Sequence, residues 1–339
     1  MSMKYLSVET REKFKYYEVA PDIYAAVTPY YGLCWANAGF INKGKGLVYD
    51  TLFDLPHARE LRQFALDKSG HVPAYVVNSH YNCDHTWGNQ IFADSTIIMH
   101  KNCEWEHKSE DPNFWRDIIV NGEHSDSIGK HWLWENIKLF DLTDVHWQEP
   151  DILIKEDTVI KLGDTEFQII NVAPCHSNSD LLGWLPKEKV LFVGDLVFVG
   201  LTIYSMEGGK RLVEVLNWIA TELKPDVVVN GHGAIGGTET VLECKNYLET
   251  VMEQIDKYYT ADITPVELAK KIDVSKFLHW IQPQRVFLSV NPILRSMRKE
   301  SMVPDWDYNA RSMIEVEKYH KEVYGNQIKP WDPMSAWVE

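Results

Sequence analysis

The sequence predicts a layered α/β protein. Three observations lead there. Short runs rich in β-branched and aromatic residues recur along the chain, stretches with helical spacing alternate with them, and no repeat, low-complexity tract or Gly/Ser linker divides them. The first strands are expected at Asp22-Ile-Tyr-Ala-Ala-Val-Thr28, Ala38-Gly-Phe-Ile41 and Gly46-Leu-Val-Tyr-Asp50, with a Gly- and Lys-rich turn after Asn42. Residues 56–68 have helical spacing, with Leu61, Phe64, Ala65 and the stem of Lys68 on one face and Pro56 suited to the first turn. Further strands are expected at 74–77, 159–162, 167–172, 190–193 and 226–229, and a helix over about 209–223. Between about 101 and 150 the chain is polar and irregular yet carries Trp105, Trp115, Trp132, Trp134 and Trp147, which reads as a partly helical insertion. After about 240 the pattern is mostly helical: Thr264-Pro-Val-Glu267 has capping-box spacing, and Trp280 and Phe287 read as one face of a packed helical segment. The organisation expected is one domain over 1–250, with the insertion inside it, and a helical C-terminal extension over 251–339 packed on the same domain.

Composition narrows the partners. With 45% hydrophobic and 24% charged residues, 339 residues can bury a sizeable core. A formal net charge of −15 repels phosphate backbones and anionic lipid, so neither nucleic acid nor a membrane surface is expected as a partner. The N-terminal stretch shows no apolar signal segment and no run approaches the roughly 18 apolar residues of a span. The five cysteines (Cys34, Cys83, Cys103, Cys175, Cys244) lack a framework spacing, so reduced thiols in a cytoplasmic protein are expected. Thirteen tryptophans suit either an aromatic core with an oligomer interface or a dedicated aromatic pocket; a homodimer is expected, with the Trp-rich insertion buried against its twin.

Four of the apolar runs share a feature: each leads directly into a loop bearing His or Asp. Ala74-Tyr-Val-Val77 leads into Asn78-Ser-His80-Tyr-Asn82-Cys-Asp84-His85, and Phe167–Val172 into Ala173-Pro-Cys-His176. Val190-Leu-Phe-Val193 leads into Gly194-Asp195, and Asp226-Val-Val-Val229 into Asn230-Gly-His232-Gly. Functional groups of layered α/β sheets gather beyond the carboxyl ends of strands, and Gly194, Gly231 and Gly233 permit the tight backbone that would aim these side chains inward. Imidazole and carboxylate are the donors of zinc, iron or manganese. A single buried His or Asp is ordinarily a satisfied core group, and the nine other histidines are read that way; four strand ends acting together are read as a metal site. Cys83 and Cys175 flank these residues and are read as packing, whereas Tyr81, Trp87 and Tyr204 suit either a pocket wall or the core.

The motif His80-x-Asn82-x-Asp84-His85, followed by His176, Asp195 in Val-Gly-Asp and His232 in Gly-His-Gly, resembles the metallo-β-lactamase superfamily over roughly residues 20–250. Asn37-Ala-Gly-Phe-Ile41, Trp184-Leu-Pro and Val190–Asp195 match it too. The resemblance implies an αββα sandwich with the site at one edge. It further implies one metal held by His80, the residue at 82 and His176, a second held by Asp84, His85 and His232, and Asp195 bridging. His85-Thr-Trp-Gly-Asn89 is similar to a branch containing hydrolytic dehalogenases. The family pattern is H-x-H-x-D-H, and Asn82 replaces its second histidine. A neutral amide is a weaker ligand than imidazole. One tight ion is therefore expected at Asp84, His85, Asp195 and His232, with the other position weak; alternatively Asn82 bonds substrate or an outer group.

The expected activity is hydrolysis of a small molecule (an ester, lactone, amide or carbon–halogen bond) with zinc the leading ion and iron or manganese the alternatives. A divalent ion would bring the pKa of water down to about 7. Asp84 would orient the water, carry a proton or ligate, and His80 and His176, if not ligands, would serve as general acid or oxyanion contact. The rivals are an iron-dependent redox enzyme and a metal-assisted lyase on the same fold. The diiron members carry Glu where Asn82 stands, which weakens the first. Neither H-E-x-x-H nor G-x-S-x-G is present, and the glycines around His232 form no dinucleotide fingerprint.

Overall fold

A computed structural model describes residues 5–30, 32–206, 208–300 and 305–330; residues 1–4 of the N-terminal stretch and 331–339 of the C-terminal extension lie outside the described residues. Two sheets face one another. The first has eight strands in sequence order: β1 (Ser7–Thr10), β2 (Lys15–Ala20), β3 (Ile23–Val27), β4 (Ala38–Ile41), β5 (Leu47–Tyr49), β6 (Tyr75–Val77), β7 (Thr96–His100) and β8 (Ile152–Ile154). It is antiparallel through β5 and parallel beyond. The second holds β9 (Thr158–Leu162), β10 (Thr165–Asn171), β11 (Leu181–Leu185), β12 (Val190–Phe198) and β13 (Val227–His232), with β12 and β13 parallel.

Period-two alternation sorts the side chains between layers. In β3, Ile23, Ala25 and Val27 face the second sheet, where Phe167, Leu181, Phe192 and Val229 await them. Tyr24 and Ala26 face the other way, onto Leu61, Phe64 and Ala65 of α1 (Leu55–Ser69). That helix starts where Asp54 caps His57 N at 3.0 Å and Pro56 fills the first turn, and it stops at left-handed Gly70.

The remaining helices are α2 (Cys83–Thr86), α3 (Cys103–Glu106), α4 (Pro112–Asn121), α5 (Ile128–Ile137), α6 (Lys210–Trp218), α7 (Thr238–Tyr258), α8 (Pro265–Lys271), α9 (Val286–Arg298) and α10 (Trp306–Tyr324). The outer face of the second sheet, with Leu182, Leu191 and Val228, packs on α6, α7 and α9 in one buried cluster. The order helix, sheet, sheet, helix is the αββα arrangement. The insertion is helical (α3, α4 and α5), and its Trp115, Leu133 and Ile137 join Trp35, Phe53, Trp87 and Ala310 of α10 in a separate aromatic core.

Three local expectations need correction. The position 250 falls inside α7, so no chain break separates the two regions there. Trp280 and Phe287 are buried in the same cluster but do not share a helix, because the turn at Gln282-Pro283 intervenes before α9 begins. Asp195 and His232 do not open loops: β12 runs on to Phe198, and His232 is the last residue of β13. The register of β12 on β13 shifts on either side of Gly194, whose φ of 51° bends the strand without ending it.

Candidate metal centre

All seven motif residues come together at one edge, where the sheets meet. Asn37 stitches that edge, its backbone N–H donating to Gly231 O and its side-chain amide to Asn230 O and Gly233 O. His80 follows β6. Asp84 and His85 lie in the single turn of α2, with Asn82 just before it, and His176 lies in the loop after β10. The loop from 78 to 89 is clamped from within: Asn78 Nδ2 donates to His85 O, Asn89 Nδ2 to Asn78 Oδ1, and Thr51 Oγ1 to Asn89 Oδ1 at 2.7 Å. Asn89 is therefore a structural clamp. Trp87, stacked on Phe53 in the aromatic core, belongs to the core, while Tyr204 walls the cleft.

Asp195 stands in the middle. Its Oδ1 lies 3.0 Å from His85 Nε2 and 3.3 Å from His232 Nε2, and Asp84 Oδ2 lies 3.4 Å from the same His232 nitrogen. Its Oδ2 faces the other group, 3.6 Å from His176 Nε2 and 3.8 Å from His80 Nε2. The donor atoms of His80, His85 and Asp195, and those of Asp84, His85 and His232, lie within 4.8 Å of one another.

Each ring is oriented from behind. His232 Nδ1 donates to Trp35 O at 3.0 Å and His176 Nδ1 to Tyr204 O at 3.1 Å. His85 Nδ1 donates to Asp50 Oδ2 at 2.9 Å; Ser79 Oγ donates to the same carboxylate, so its lone pair receives the proton of His80 Nδ1. With every Nδ1 occupied, every Nε2 faces the centre, the outer-shell pattern of metal-ligating histidines. The buried His80 Nε2, His85 Nε2 and Asp195 Oδ1 meet no hydrogen-bonding group outside this set. Buried polar atoms are rarely left so, and a cation satisfies all three. The residues present fit a metal ion.

Asn82 fits as well. Its amide nitrogen donates to Glu110 Oε1 at 2.9 Å, which turns Oδ1 inward to 3.0 Å from His176 Nε2. Burial pushes the His176 imidazole below its usual pKa, and its one proton is spent on Tyr204 O, so two lone pairs face each other across a gap that a cation would close. Burial, then the charge on His85, pushes His80 down likewise. Neither ring holds a spare proton, which favours ligand duty over the general-acid role. At His85 burial acts downward, but Asp195, Asp50 and Asp84 outweigh it and push the pKa well above the usual value.

A narrow cleft opens over the centre, lined by Asp84, Asp195, His232, Tyr204, Arg285 and Trp306 among others. Sequence reasoning missed Asp50, Ser79, Glu110 and Arg285. Asp50 was within reach, since it ends the run Gly46-Leu-Val-Tyr-Asp50 as the recognised residues end theirs, and its φ of 64° marks a strained turn.

Fold and site together define a two-sheet metal-binding protein whose ligand set is spread over four chain segments, with Asp195 between the two groups. The sequence profile of the metallo-beta-lactamase superfamily matches residues 31–232, and the chain belongs to that superfamily, whose members are typically metal-dependent hydrolases. Among solved structures, the chain is similar to a metallo-beta-lactamase family protein from Thermus thermophilus (TM-score 0.59, 17% identity, covering 83% of this chain and 94% of that one). It is similar also to a stereoselective inverting sec-alkylsulfatase from Pseudomonas sp. (TM-score 0.55, 16% identity, covering 93% of this chain and 52% of that one). An uncharacterized protein of Aquifex aeolicus is 37% identical over 89 residues, 25% of this chain and 41% of that protein's length.

Proposed function

We propose that the protein is a metal-dependent hydrolase of a small molecule, acting on an ester, lactone, amide or carbon–halogen bond. The observation that carries this reading is the convergence of four oriented imidazole nitrogens and two carboxylates, three of whose atoms meet no hydrogen-bonding group outside the set, at the floor of an open cleft. The ion would supply an activated water near neutral pH and polarise the bond to be broken. Asp84, Asp195, His85 and His232 would hold the tight ion, and His80, Asn82 and His176 a weaker one. Asp84 Oδ2 turns to His232, leaving the other carboxylate oxygen as the group that orients the attacking water and takes its proton. Zinc is the ion proposed, because imidazole and carboxylate in a compact set suit it and it brings no redox chemistry of its own. The same reading carries a cytoplasmic setting, in keeping with five free buried cysteines, and a homodimer through the insertion, where Trp105, Val120 and Ile128 are exposed.

The test is turnover of ester, lactone, amide and haloaromatic panels by the protein with its native metal in ¹⁸O-labelled water. Solvent oxygen in the product, and its loss in His232→Ala, are expected. Turnover without solvent oxygen would assign a lyase, an iron-dependent visible spectrum would assign redox chemistry, and a fully active His232→Ala enzyme would end the scheme.

A further inference from the structure

The C-terminal extension brings a charge to the cleft that the ligand set does not use. Arg285, in the turn before α9, is 4% exposed, and its Nε and Nη1 have no hydrogen-bond partner. It lines the cleft beside Asp84, Asp195, His232 and Tyr204. A guanidinium buried with two of its three nitrogens unpartnered is strongly unfavourable unless something supplies acceptors for them. Asp195 and Asp84 act on its charge across the cleft, but among the described residues no acceptor meets its Nε or Nη1, and a divalent ion would draw on both carboxylates. Glu110, also on the cleft, is engaged by Asn82 Nδ2 at 2.9 Å and by Trp115 Nε1 at 3.4 Å. The acceptors missing at Nε and Nη1 therefore arrive with the ligand.

We propose that Arg285 anchors an oxyanion group of the substrate (carboxylate, sulfate or phosphate) beside the metal ligands, so that the substrates are small anions. The inference rests on the hydrolase reading for the word substrate but not for the binding itself. A planar fork of N–H donors held rigid by burial suits two oxygens of one such group, and it would fix the distance from the anion to the bond placed over the centre. Arg285 lies beyond residues 31–232, the part matched by the superfamily profile, so this specificity belongs to the extension.

Calorimetric titration of the metal-loaded protein with benzoate and with benzamide, its neutral counterpart, tests this without turnover. Wild type should prefer benzoate by about ten- to a hundredfold, the scale of a charge-assisted pair. Arg285→Gln should erase the preference while leaving benzamide binding in place. Arg285→Lys, which keeps the charge and loses the fork, should retain part of it; this milder variant and the wild-type ratio decide the matter if Arg285→Gln does not fold. Inorganic sulfate displacing benzoate would mark a site for tetrahedral oxyanions, and failure to displace it a site for carboxylates. Equal binding of the two probes, no benzoate binding, or a preference surviving in Arg285→Gln would each overturn the proposal, the last by making the metal the anchor. A benzoate preference in a protein that hydrolyses no panel member would sink the hydrolase reading and leave this one standing.

Discussion

His85 is pulled from both sides. Asp50 holds its Nδ1 at 2.9 Å while Asp195 stands 3.0 Å from its Nε2. Because these carboxylates push its pKa well above the usual value, a proton competes with an ion for this imidazole. The sign follows: metal affinity rises with pH up to that raised pKa, and binding at pH 7 releases a proton. Titrations in buffers of different ionisation enthalpy read the release directly; an identical heat in all buffers would contradict it. Asn82 sets the second expectation. After mild chelation the wild type should retain one ion per chain, and Asn82→His, which puts imidazole where the amide oxygen now faces His176, should retain two by elemental analysis. Two equally tight ions in the wild type would count against the asymmetric site. At this scale the sequence was largely legible. The seven motif residues were visible because each stands on or just beyond a strand or its turn, whereas Arg285 was invisible because its place on the same cleft as Asp195 depends on packing between residues 90 positions apart.

At the scale of elements, aim comes from backbone. Gly231 in β13 lies so close to Asp195 Oδ1 that a Cβ there would overlap the carboxylate, and a Cβ on Gly194 would meet Ser79. Gly231→Ala should therefore misdirect the ligand and strain β12 at the Gly194 backbone, which the same Cβ would overlap: metal affinity is expected to fall about 10- to 100-fold, with a lower Tm. An unaltered affinity would show that Asp195 has room to move. The same strands show where legibility stopped. The internal runs of β3 to β6, β9, β10, β12 and β13 were readable because they are mostly buried and rich in β-branched or aromatic residues, whereas β11, Leu-Leu-Gly-Trp-Leu, was not. The exposed β1, with Ser7, Glu9 and Thr10, offers no apolar alternation, and β7, a five-residue apolar run beside the insertion, carries no period that separates strand from buried helix. The extent of β12 was misjudged because a bulge at Gly194 resembles a strand end when only residue types are seen.

Across the whole molecule, the centre is a joint between the sheets. His80 and His85 come from the first sheet's connections, and Asp195 and His232 from strands of the second, with Asn37 fastening β13 to the segment before β4. An ion held by all of them binds the folded chain and not the unfolded one, so its free energy adds to stability as RT ln(1 + [ion]/Kd), about 2.7 kcal/mol at a hundredfold excess over Kd. Its removal also leaves Asp84 and Asp195 close to the same imidazoles without a cation between them. Chelation should thus lower the Tm by about 5 °C, the shift such an energy gives in a chain of this size. The Tm should climb again with the logarithm of added ion. Asp195→Asn should be insensitive to chelator, because the residue shared by both groups has lost its charge while its shape remains. A wild-type Tm indifferent to both chelator and added ion would mean that the donors do not share a cation, however well their nitrogens are aimed.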